Sequence, residues 1–79
     1  MDKYIFNSEY LKQLIYNKAD IQKKKKKEIR ASICEKAGIS RGTLSHYENG
    51  RAEPDISTII FFSEYFGWDD IKTFFMKIN

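Results

Sequence analysis

The thirteen residues Gly38-Ile39-Ser40-Arg41-Gly42-Thr43-Leu44-Ser45-His46-Tyr47-Glu48-Asn49-Gly50 constrain this chain more than any other segment, because they specify a reversal followed by one short helix with a polar outer face. Gly38 follows an apolar-periodic stretch and can take the left-handed conformation that ends a helix. Ser40 then stands at the N-cap of the next helix, where its hydroxyl can accept a bond from an orphan backbone N–H. Leu44 and Tyr47, three apart, face inward, whereas Arg41, Gly42, Ser45, His46 and Asn49 share the outer face. Gly50 stops the helix after about two turns. The outer face therefore presents a guanidinium fork, a hydroxyl, an imidazole and a carboxamide, group types that pair with base edges and phosphates.

Apolar spacing along the rest of the chain predicts helix throughout. Tyr10, Leu11, Leu14, Ile15 and Lys18 follow i, i+3, i+4 spacing behind the possible caps Asn7 and Ser8, giving a first helix over about 8–19. Ile29, Ile33, Cys34 and Ala37 give a second over 29–37, and the polar-faced segment a third over 41–48. Glu53-Pro54-Asp55 reads as loop with Asp55 as N-cap, and Ile56, Ile59, Phe62 and Phe66 line a fourth helix over 56–66. Asp69 or Asp70 can cap a fifth over 70–77 carrying Ile71, Phe74 and Phe75. No strand alternation, internal repeat or linker is visible, so the expectation is one all-α, five-helix domain spanning 1–79.

Composition narrows the function classes. The formal charge of +3 hides an asymmetry: residues 1–51 hold twelve Lys or Arg against six acids, and residues 52–79 hold two against five. The basic end is suited to polyanions. The single cysteine excludes an internal disulfide, and one histidine beside it is too little for a structural zinc site. Burial in the helix packing is favoured for Cys34 over a reactive role, because no base accompanies it. The apolar run Tyr4-Ile5-Phe6 is too short for a signal peptide or a membrane span, which leads to a cytoplasmic expectation. No carboxylate cluster, metal-ligand set or nucleophile and base pairing points to an enzyme, and no cofactor or small-molecule ligand is indicated.

Residues from about Ile29 to Ile71 resemble the helix-turn-helix domain of the phage repressor and Cro type, the xenobiotic-response-element family. The matching strings are Ile33-Cys34-Glu35-Lys36-Ala37-Gly38-Ile39-Ser40, Leu44-Ser45-His46-Tyr47-Glu48-Asn49-Gly50-Arg51, Glu53-Pro54-Asp55-Ile56 and the apolar helix ending at Phe66-Gly67, all in family order and spacing. The resemblance implies a lambda-repressor-like fold that binds double-stranded DNA. It implies base contacts from Arg41, Gly42, Thr43, Ser45 and His46, and phosphate contacts from Arg30, Ser40, Asn49 and Arg51. Arginine is confined to positions 30, 41 and 51, each where the family touches DNA, and the Arg41 fork suits guanine O6 and N7. For His46 the alternative is a structural or merely exposed imidazole.

Three departures from the family pattern stand out. Gly42 replaces the polar side chain usual at that place, so it either allows close backbone approach or leaves the reading to its neighbours. The run Lys23-Lys24-Lys25-Lys26-Lys27 lies in an insertion of roughly eight residues, with Arg30 where the family often has Gln. It either extends the second helix or forms a basic loop, and in both cases phosphate attraction is expected of it. Glu48 commonly pairs with an arginine on the first helix, and here the corresponding place is near Ile15, which leaves its partner open.

The last third of the chain is rich in aromatic residues. Phe61, Tyr65, Trp68, Phe74, Phe75 and Met76 are expected to form a twofold homodimer interface, because exposed aromatic patches mark contact sites and palindromic sites require symmetric readers. The resulting expectation is a dimeric, sequence-specific transcriptional regulator, a repressor that occupies its operator. The alternative is an antitoxin-like or adaptor protein whose aromatic surface binds a different protein.

Overall fold

A computed structural model describes residues 3–67 and 70–78. A short strand β1 (Lys3–Phe6) leads into α1 (Ser8–Gln22), α2 (Lys26–Ala37), α3 (Arg41–Glu48) and α4 (Ile56–Tyr65), and a 3-10 turn (Ile71–Phe74) then leads into β2 (Phe75–Ile78). Helix starts follow the capping residues: the Asn7 side chain accepts from the Tyr10 N–H, Ser40 from Thr43 and Asp55 from Thr58. Gly38 ends α2 with φ of 70°, the left-handed region that the reversal requires.

Leu11, Ile15 and Ala19 recur every four residues along α1 and are buried, and they meet Ile29 and Ile33 of α2, Leu44 of α3, and Ile59 and Phe62 of α4 in one core. Tyr10 and Leu14 only flank it. Ile56, expected on the inner face of α4, is 60% exposed at the first turn of that helix.

The five-helix, purely α expectation is corrected at the chain ends. Asp70 caps a single 3-10 turn, and residues 75–78 are extended and pair antiparallel with β1, Phe6 opposite Phe75 and Lys3 opposite Ile78. Two physical reasons favour this outcome. A helix of about eight residues is too short to be stable without strong packing, whereas pairing satisfies the backbone groups of both terminal segments. Phe74 also anchors the turn: its ring stacks on Phe6 at 6.3 Å, meets Phe62 at 6.2 Å and takes the edge of Tyr10 at 5.2 Å. The Asn7 N–H donates to the Phe74 carbonyl at 2.7 Å, and the Phe6 N–H donates to Glu53 Oε1 at 3.1 Å, so the closed chain ends also hold the loop that follows α3.

Phe74 is 0% exposed, which removes it from the expected dimer surface. Trp68 lies outside the described residues.

Candidate nucleic-acid interface

The α3 helix is fixed from both ends. Ser40 Oγ accepts from the Thr43 N–H at 3.0 Å and donates to Thr43 Oγ1 at 2.9 Å, while Leu44 and Glu48 are buried beneath the helix. At the far end the Asn49 and Arg51 N–H groups bond to the Ser45 and His46 carbonyls, with Gly50 at φ of 72°. Arg41, Gly42, Ser45, His46 and Asn49 are all exposed, as the helical spacing predicts, and Tyr47 is half-buried.

Within this face the side chains are not equivalent. Asn49 Nδ2 donates to the Ser45 carbonyl at 2.8 Å and to Ser45 Oγ at 3.3 Å, so both residues are engaged along their own helix. Thr43 is half-buried and bonded to Ser40. Arg41 and His46, and Arg51 in the following bend, have no hydrogen-bond or ion-pair partner for their side chains among the described residues. These three keep their full donor sets for an external acceptor. At Gly42 an added Cβ would meet only Ser40 Oγ at 3.8 Å, an ordinary contact, so packing within the protein does not demand glycine there.

The partner of Glu48 is Arg30. The guanidinium grips the carboxylate at two points, Nε to Oε2 at 3.0 Å and Nη2 to Oε1 at 2.9 Å. The arginine expected on the first helix is thus supplied by the second, because Ile15 is wholly buried in the core and Arg30 comes from the first turns of α2 beside the end of α3. Its hydrogen bonds to Glu48 hold the Arg30 pKa above the ordinary arginine range, with burial opposing and the Tyr16 hydroxyl adding to the effect. The Arg30 side chain as a whole stays partly exposed, at 32%.

The lysine run is divided by the fold. Lys23 takes the left-handed conformation that ends α1, Lys24 and Lys25 form the link, and Lys26 and Lys27 begin α2, with the Lys25 N–H bonded to the Glu28 carboxylate. Both sequence alternatives hold in part, since the insertion lengthens α1 and α2 and leaves a tight link. All five lysines are exposed, but they do not share a face. Lys26 lies one turn before Arg30, with its ammonium 3.8 Å from the centre of the Tyr16 ring, whereas Lys24 borders a concavity with Ser32, Lys36 and Tyr65 on the other side of α2.

A short helix that follows a turn and leaves Arg41 and His46 unpaired on its exposed face, with Arg51 just beyond it, is the arrangement that places donors in a DNA groove and against its backbone. A family model for helix-turn-helix domains, the phage repressor and Cro type, matches residues 9–67. The chain belongs to this family. The xenobiotic-response-element domains are DNA-binding domains of transcriptional regulators, and residues 9–67 of this chain are such a domain. A search of curated proteins and of solved structures finds no significant match.

Two residues beside the recognition face of this helix-turn-helix domain, Lys12 and Tyr16, escape sequence reasoning. Lys12 and Tyr16 of α1 border the same concavity as Arg41, Ser45 and Asn49 of α3, although nothing in the motif names them. Their only signal is the spacing of four, which puts both on one outer stripe of α1. Cys34 is half-buried, and burial pushes its thiol pKa up, as expected for an unreactive packing residue. Among the described residues no group of His, Cys, Asp or Glu is placed to hold a metal ion, and no helix is long and apolar enough to cross a membrane.

Proposed function

We propose that the protein is a transcriptional repressor that binds its operator as a homodimer and acts by occupying the promoter. Arg41 and His46, unpaired on the exposed face of α3, carry this reading, since a helix that leaves a guanidinium fork and an imidazole free at its surface has donors to aim at base edges. Gly42, Thr43 and Ser45 complete the base-facing set. Arg51, Ser40 and Asn49, the Arg30 side chain, and Lys26, the lysine of the 23–27 run that lies one turn before Arg30, serve the sugar-phosphate backbone.

The dimer is assigned to the terminal sheet and the residues beside it. With Phe74 in the core, Phe75 and the 41% exposed Met76 on β2 are the aromatic-rich segment's surface, and Phe61 and Tyr65, stacked at 5.4 Å, are half-buried on α4. A symmetric dimer would present two copies of α3 to half-sites whose centres lie about 10 base pairs apart or a multiple of that. Selection of bound sequences from a random duplex library tests the whole reading. An inverted repeat with such a spacing is the expected result, and recovery of no preferred sequence would overturn it.

A further inference from the structure

The two strands that close the chain ends lie outside the stretch that matches the family, which covers residues 9–67. The sheet they form is nevertheless tied to the loop that follows α3. Phe6 lies opposite Phe75 in the sheet, and its N–H donates to Glu53 Oε1 at 3.1 Å, a bond between residues 47 apart in sequence. Ser8, two residues on, has its Oγ 3.4 Å from the place a Cβ on Gly50 would take. The segment 6–8 is therefore set against both ends of the bend 50–53, and Arg51 lies between those two points. The Arg51 N–H is held by the His46 carbonyl at 2.9 Å, so the bend and the end of α3 are placed together.

Between Gly50 and the buried Pro54, the Glu53 carboxylate makes the one side-chain hydrogen bond of the bend among the described residues, and it forms no ion pair there. A carboxylate on a backbone N–H is a charge-assisted contact, and a short exposed bend with few others opens easily without it. We propose that Glu53 is a positioning residue for the DNA-binding face, which makes the seating of Arg51 and the end of α3 depend on closure of β1 onto β2. Linkage requires the converse: a bound duplex favours the closed sheet by the same factor by which the closed sheet favours the duplex. A second copy covering β2 thus raises the affinity of each α3 as well as pairing two of them. This inference rests on the reading of α3 and Arg51 as DNA contacts.

Two measurements on the full chain test it. Hydrogen exchange of the amides of residues 75–78, followed by NMR in low urea so that local opening is read apart from global unfolding, is expected to slow when the selected duplex is added. The slowing should appear in the wild type and in Glu53→Gln, which keeps an acceptor oxygen, and be absent from Glu53→Ala. In anisotropy titrations Glu53→Ala should bind the duplex about fivefold more weakly than Glu53→Gln, the ratio expected for loss of one hydrogen bond. Both variants lose the same negative charge, so the comparison excludes any gain in attraction to phosphates. A merely stabilising Glu53 would lower the melting temperature of Glu53→Ala without making β2 exchange respond to duplex in one variant and not in the other. Exchange at 75–78 that is indifferent to a bound duplex in the wild type overturns the proposal, as does protection that persists in Glu53→Ala or equal affinity of the two variants. If Glu53→Ala does not fold, by circular dichroism, the wild-type exchange decides. A wild type that binds no duplex fails the functional reading first, whereas one that binds with β2 exchange unchanged fails only the link.

Discussion

Arg30 and Glu48 face each other across the junction of α2 and α3, two nitrogens of one guanidinium on the two oxygens of one carboxylate, at 2.9 and 3.0 Å. Glu48 is 5% exposed, so this contact is what allows a carboxylate to sit beneath α3. Removal of one partner leaves the other charge uncompensated in a dry site, whereas removal of both does not. Arg30→Ala is therefore expected to destabilise the fold by about 2 kcal/mol, below the range for fully buried pairs because the arginine is partly exposed. The double variant Arg30→Met with Glu48→Leu should recover most of that stability in urea unfolding. Because the folded pKa of Arg30 is raised, the pair's contribution is present at every pH below the ordinary arginine range and is lost only as pH rises through the raised value.

Arg41→Ala is expected to lower affinity for the selected site by about 1–3 kcal/mol while barely changing binding to random DNA, because a bidentate base contact discriminates and a phosphate contact does not. Equal weakening on both duplexes, measured by anisotropy, would make Arg41 a backbone contact.

Gly42→Ala should raise the stability of the free protein by as much as about 1 kcal/mol, since the position is helical, exposed and sterically open. Thermal unfolding reads that gain. If the operator affinity of the same variant falls, the glycine serves close approach of the α3 backbone to the duplex; if affinity holds, the neighbouring side chains do the reading.

Phe74→Ala is expected to cost about 3–5 kcal/mol at any protein concentration, as for other fully buried aromatic residues. Met76→Ser should leave the monomer folded but weaken self-association and, with it, operator binding. Light scattering and unfolding at two protein concentrations separate the effects, and unchanged association in Met76→Ser moves the interface off β2.

Asp55, the N-cap of α4, has its pKa lowered by bonds from the Thr58 hydroxyl and N–H. Its charged form is thus favoured by folding: the contribution to stability is complete above the ordinary aspartate range, near pH 4, and fades as pH falls through the lowered folded value. Asp55→Asn should keep a capping oxygen and reduce the fall in stability as pH drops below the ordinary aspartate range, as followed by thermal melts.

Local chemistry along the chain is enough to specify the helix-turn-helix. Gly38, Ser40 and Gly50 act through local backbone geometry, Leu44 and Tyr47 through helical period, and the exposure of Arg41, Gly42, Ser45, His46 and Asn49 follows from the same period. These signals span a few residues and need no distant partner. What depends on long separations was settled by packing alone. The β1–β2 pair joins Lys3 to Ile78 and Phe6 to Phe75, and its strands are too short for alternation to be visible in either. Phe74 became core because Phe6, Tyr10 and Phe62 converge on it from three different elements, which no count of aromatic residues could distinguish from a surface patch. Glu48 found Arg30 rather than a residue of α1, and Lys12 and Tyr16 came to face Arg41, because helix packing sets which side chains meet and sequence spacing fixes only which share a stripe.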